Sequence, residues 1–199
     1  MNILIVNTSA HTGGAAIAAS RLSHALRTRG HQDKMLVANK DVADADVLPA
    51  GSAFMRRLCF LWERLIVFLH LFTRRGLWEI DPAVAGIDIT RTAAFREADV
   101  VHLHWVNQGL LSTAGIKKIL ASGKPVVVTL HDMWLMTGLC HYAHDCQHWK
   151  SDECRSCPLH GCHSWAHTVW RRKQQMIATG SPVVVGCSEW MAALARESD

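Results

Sequence analysis

The sequence predicts an α/β protein built around a parallel, doubly wound sheet, and three observations carry the prediction. Short apolar or β-branched runs recur along the 199-residue chain, at NILIVN, KMLVA, DVVHLHW, PVVVTLH and PVVVGC. Segments with apolar residues at helical spacing separate them, the alternation that yields parallel sheets. Hydrophobic residues make up 49% and charged residues 19%, ample for one packed domain over 1–199 and not the composition of a disordered chain. The net charge of +4 suits an anionic substrate or an acidic membrane surface and is too weak to argue for nucleic acid.

The elements follow in order. NILIVN (2–7) is a strand, ended by the turn Thr8 to Gly14. The next segment is a helix whose Ala15, Ala18, Ala19, Leu22, Ala25 and Leu26 share a face, and Gly30 stops it. KMLVA (34–38) is a second strand, followed by a polar loop of Asp and Ala up to Pro49 and Gly51. Phe54 to Arg75 reads as a helix with a narrow polar stripe, because Arg56, Glu63 and His70 recur every seven residues. Its longest uncharged run, Leu65 to Thr73, is too short to cross a bilayer. The expectation is a helix buried on most sides. The alternative is a helix lying in a membrane surface, with Arg56, Arg57, Arg74 and Arg75 facing lipid phosphates. DVVHLHW (99–105) and PVVVTLH (125–131) are strands around a helix at 112–123, and the second suits burial on both faces. A Cys/His-rich insertion, 133–163, interrupts the pattern. A helix at 163–180, the strand PVVVGC (182–187) and a helix capped by Ser188 complete the chain.

Met1 leads directly into the first strand, with no charged leader and no cleavage site. A reducing cytoplasm is the expected compartment, with the inner face of a membrane as the alternative, and thiols or metal ligands are expected in preference to disulfides.

In an open parallel sheet, ligands sit at the carboxyl ends of the strands. Gly13 and Gly14 stand at such an end, where missing side chains let a ligand reach the backbone and helix amides favour an anion. The pair is neither GxGxxG nor a Walker loop, and a plain tight turn is the competing explanation. His104 and Trp105 fall at the end of the third strand, and His131 and Asp132 at the end of the fourth. His131 can bond a sugar hydroxyl or phosphate, and Asp132 can bond a hydroxyl or orient an imidazole. Trp105 and Trp134 offer flat faces for stacking on a sugar. Each of these residues could equally cap a loop or fill the core; their convergence on one edge makes the functional case.

Between Thr129 and Cys162, 34 residues hold five cysteines and five histidines. Cys140, Cys146, Cys154 and Cys157 have spacings that a structural zinc ion would accept, and a long loop needs a tether. His141, His144, His148, His160, His163 and Cys162 are nearby substitutes. Free thiols and disulfides remain open. A catalytic redox pair fits poorly, because Cys154-x-x-Cys157 does not start a helix after a strand. Cys59 and Cys187 read as core residues.

NILIVNTSAHTGGAAIAASRLSHALRTRGH resembles the opening of family 4 retaining glycosyltransferases with the GT-B fold. ADVVHLHWVNQGLLS and GKPVVVTLHDMWLMTGLCHY are similar to a subgroup of colanic-acid and O-antigen type. Thr137, Gly138, Cys140, Cys146, Trp149, Lys150, Cys154, Cys157 and Pro158 continue that pattern. The resemblance implies a Rossmann-like amino-terminal, acceptor-side domain. It implies a nucleotide-sugar donor, a glycan or lipid-linked acceptor, and no catalytic metal, so that zinc would be structural. It places Gly13 and Gly14 near the donor diphosphate, His131 against the transferred sugar, and Ser188 and Glu189 at the last strand-to-helix turn. The family's second domain, with its basic pair and Glu-x7-Glu signature, has no counterpart here. The resemblance therefore implies an excised or truncated chain without transferase activity on its own.

Overall fold

The computed structural model describes residues 1–72, 76–159 and 162–198. Six strands form one parallel sheet in the order β3-β2-β1-β4-β5-β6. They are β1 (Asn2–Ser9), β2 (Gln32–Asn39), β3 (Val47–Pro49), β4 (Val100–Leu103), β5 (Val126–Leu130) and β6 (Val183–Gly186). The helices are α1 (Gly14–Thr28), α2 (Ala53–Leu71), α3 (Ala93–Glu97), α4 (Thr113–Leu120), α5 (His148–Ser151), α6 (His163–Ile177) and α7 (Glu189–Arg196).

Alternation along the strands divides the core. Ile3, Ile5, Met35 and Val37 face one side, with Ala19 of α1; Leu4, Val6, Leu36, Val101 and Leu103 face the other. The strand order reverses between β1 and β4, and the crevice at such a switch point is where this architecture binds ligands. Backbone bonds extend the β1–β4 pairing past the strand ends: His104 donates to Val6 at 2.9 Å and Thr8 to Trp105 at 2.8 Å.

Four expectations are corrected. The polar loop before Pro49 contains β3, three residues paired in parallel with Met35, Leu36 and Val37. The inner face of α1 keeps the expected Ala19, Leu22 and Leu26 against the core but adds Ala16 and Ser23, and Ala25 is exposed. Ser23 can be inside because its hydroxyl donates to Asp33 at 2.6 Å. Cys187 is exposed, whereas Cys59 is buried as expected.

The largest correction concerns α2, which is inverted. Its buried residues are Cys59, Glu63, Arg64 and Val67, so part of its polar stripe faces the protein. Phe54, Leu61, Trp62 and Phe72 are 73%, 52%, 51% and 79% exposed, with Leu58, Leu65, Phe68 and Leu69 also outward. The cause lies in the irregular segment after the helix, whose backbone groups need partners. Glu63 accepts from the amides of Val84 and Ala85, and Arg64 donates to the Leu77 carbonyl and pairs with Asp81 at 2.9 Å. On another side, Gly109, at φ 82°, lies so close to α2 that a Cβ there would sit 2.7 Å from the Cys59 carbonyl carbon. Arg56 bonds the carbonyls of Ala50 and Gly51, and Arg57 is exposed. Arg74 and Arg75 lie outside the described residues.

Candidate functional site

A cleft of about 1230 Å³ opens at the carboxyl edge of the sheet. Its floor is the end of β1. Asn7, only 2% exposed, accepts from the Trp105 amide at 2.9 Å and donates to Ser9, so the tips of β1 and β4 are fixed together. Ser9 accepts from the Thr12 amide at 2.9 Å and shapes the turn into Gly13. Gly13 has φ 94°, a conformation that disfavours any side chain, and nothing stands within 4 Å of where a Cβ would be. No side chain caps α1, so its first amides, from Gly14 to Ala16, are free toward the cleft they line.

The tips of β4 and β5 form the next wall. His131 lines the cleft and its Nε2 lies 2.9 Å from Nδ1 of His104, which is itself 7% exposed and stands behind it. His102 bonds Thr129 at 2.8 Å, and its ring centre lies 4.4 Å from that of His104. Burial pushes His102 down to about 4 and His104 to about 3, and lowers His131 as well, so all three rings are neutral near pH 7. Asp132 accepts from Trp105 Nε1 at 2.7 Å and from the Trp134 amide at 2.9 Å, and its Oδ2 lies 2.7 Å from His141 Nδ1. A carboxylate so engaged orients an indole and an imidazole.

The insertion supplies the outer wall. Its residues 139–141 run antiparallel to 79–81, with an Ile80–Cys140 bridge, Asp81 donating to Leu139 and His141 donating to Glu79. Trp149, Cys154 and Cys157 are buried in the main core. Packing and pairing thus hold the loop. The metal expectation is corrected: among the described residues, no group of three or more His, Cys, Asp or Glu is arranged to hold a metal ion. Cys140, Cys146, Cys154 and Cys157 do line one end of the cleft, as free thiols. Burial pushes Cys140 up to about 12 and Cys154 to about 11, so in the metal-free protein both stand as protonated thiols. Of the substitutes, His141 serves Asp132, His148 lies 3.1 Å from Asp152 and His144 is exposed. His160 and the side chain of His163 lie outside the described residues.

The cleft thus gathers Gly13, Gly14, Trp105, His131 and Asp132. Trp134 is only 5% exposed and donates to the Asp81 carbonyl at 2.7 Å, inside the core and away from the cleft. Ser188 caps α7 through the Met191 amide, and neither it nor Glu189 lines the cleft, although Cys187 does. Two residues escaped sequence reasoning. Tyr142 reaches the His131 carbonyl at 3.3 Å, a contact made by loop pairing that no spacing signals. Lys173 is fully buried, donates to the Trp134 carbonyl and lies 4.2 Å over the Trp134 ring; burial lowers it to about 7. Its signal was available, since Ala166, Val169, Lys173 and Met176 make one buried helical stripe.

A parallel sheet with glycines, a helix start, an imidazole and an indole around its switch-point cleft is the form of a nucleotide- and sugar-handling domain. Comparison with known proteins agrees. The sequence model described as Glycosyltransferase Family 4 matches residues 12–198, and the chain belongs to that family. It is 37% identical over 165 residues to the "Putative colanic acid biosynthesis glycosyl transferase WcaC" of Escherichia coli (strain K12). That match covers 79% of this chain and 40% of the relative, so the chain spans well under half the relative's length. No solved structure matches it significantly.

Proposed function

We propose that the chain is the acceptor-side domain of a retaining glycosyltransferase that moves a sugar from a nucleotide-sugar to a glycan or lipid-linked acceptor in surface polysaccharide biosynthesis. The observation that carries this is the meeting, at one cleft, of the uncapped α1 amides behind Gly13 with His131 and Trp105. Free amides at a helix start stabilise the charge that develops on a leaving diphosphate. The imidazole bonds a sugar oxygen, and the indole, pinned by Asp132, covers a sugar face. Holding donor and acceptor together accounts for much of the remaining acceleration.

Most of the donor site belongs to a second domain, so the chain alone is inactive. The test is a transfer assay with labelled UDP-glucose and GDP-mannose and extracted lipid-linked acceptors. It is run on this chain and on this chain joined to the carboxyl-terminal part of the colanic-acid relative. Transfer by the joined protein alone is expected, falling roughly 10²-fold in His131→Ala. Transfer by the single chain would overturn the missing-site reading, and a folded joined protein unable to transfer would overturn the activity.

The outward apolar face of α2 favours a second feature, attachment to a membrane. The one acidic residue of this helix, Glu63, is buried, and its exposed charge is Arg57, as an anionic surface requires. Trp78, beyond the helix, lines the cleft mouth and is 58% exposed, so a lipid-linked acceptor would enter from the same side. Among the described residues no helix is long and apolar enough to cross a membrane.

A further inference from the structure

We propose that His104 is a positioning residue that fixes the tautomer of His131, so that the cleft presents an imidazole N–H donor to an oxygen of its ligand. This deepens the sugar-binding reading of the cleft and rests on it.

His104 Nδ1 and His131 Nε2 are 2.9 Å apart, so one nitrogen carries the proton and the other accepts it. The second nitrogen of His104, Nε2, is buried and has no partner among the described residues. If His131 donated, neutral His104 would carry its proton on that buried Nε2 and orphan an N–H. If His104 donates through Nδ1, only a lone pair is left unmatched. Buried N–H groups without an acceptor are the rarer defect. The geometry therefore selects His104 as donor and His131 Nε2 as acceptor.

His131 must then hold its own proton on Nδ1. That nitrogen has no partner among the described residues and is not among the buried unpaired atoms, and the residue lines the cleft. It faces a ligand as a donor, suited to a carbonyl, hydroxyl or phosphate oxygen and unsuited to a second N–H. The ring is held in place from behind. His102, bonded to Thr129, packs its ring at 31° to that of His104 with centres 4.4 Å apart, and the Tyr142 hydroxyl holds the His131 backbone from outside.

The experiment is side-chain nitrogen NMR of the ¹⁵N-histidine-labelled chain near pH 7.5, where coupling patterns separate the two tautomers. His131 is expected as the Nδ1–H form. In His104→Phe it reverts toward the Nε2–H form, and UDP-glucose binding weakens about tenfold, as for one lost hydrogen bond. His104→Asn, with an amide donor where Nδ1 stood, restores the tautomer and serves if the Phe variant fails to fold. An Nε2–H form in the unaltered chain, or a tautomer indifferent to both substitutions, overturns the proposal. Should the Nδ1–H form be found while UDP-glucose leaves His131 signals unmoved, the lock survives and the assigned ligand class falls.

Discussion

At residue scale, the three imidazoles set a pH dependence. Folded His102 and His104 release protons at about 4 and about 3, against 6.5 for an unperturbed ring. The unfolded chain therefore binds more protons between those limits. Their contribution to stability is complete above pH 6.5 and is lost as pH falls toward 4 and 3. Glu63 acts in the opposite sense, because burial and Asp81 raise it: its contribution is complete below 4.5 and is lost as pH rises. The two are separated by a variant. Urea titrations at pH 7 and pH 4 should show His104→Asn recovering on the order of 1–3 kcal/mol of the acid loss. Equal acid loss in both proteins would contradict the burial of that ring. Arg64 makes a sharper case, as the cation paired with the fully buried Asp81. Arg64→Met should cost about 3–5 kcal/mol, read as a fall in denaturant midpoint, because the buried Asp81 carboxylate loses its counter-charge. His131 was legible from its place at a strand end. The roles of His104, Asp132 and Trp134 were not, because side-chain direction past the last strand residue depends on contacts up to 53 residues away.

At element scale, the strands were legible because β-branched runs admit few alternatives. β3 was not: three residues ending in Pro give no periodicity, and pairing with β2 alone defines them. The stripe on α2 was legible but its direction was inverted, since periodicity cannot say which side is inside when buried polar groups find partners. The exposed face yields a prediction. The chain should float with vesicles of phosphatidylglycerol and phosphatidylcholine. Trp62→Glu with Leu65→Glu should abolish flotation, and Arg57→Glu should weaken it. All three positions are exposed, so thermal stability should move by no more than about 0.5 kcal/mol. Flotation unchanged in the double variant would remove the membrane reading.

At the scale of the whole molecule, the order of the sheet places the chemistry. The chain builds outward from β1 to β3 and then crosses back to lay β4 on the other side of β1, which opens a crevice at the centre, and the loops after β1, β4 and β5 all line it. Strand and helix alternation in the sequence was enough to expect this, because right-handed crossovers leave few topologies. The tether of the insertion was not foreseeable: closely spaced cysteines look alike in sequence as zinc ligands or as packed thiols, and the pairing of 139–141 with 79–81 is made by residues far apart in the chain. Helix α6 carries Lys173 over the Trp134 ring, a charge that residue type alone assigns to solvent and that only its place in the apolar stripe of α6 turns inward. The account's central claim is that one cleft receives the sugar and its diphosphate. Backbone amide NMR of the chain titrated with UDP-glucose and GDP-mannose tests it most directly. The account predicts shifts that cluster at Gly13, Gly14, Trp105 and His131 and vanish in Gly13→Val. Shifts centred on another face of the sheet, with these four amides silent, would contradict it.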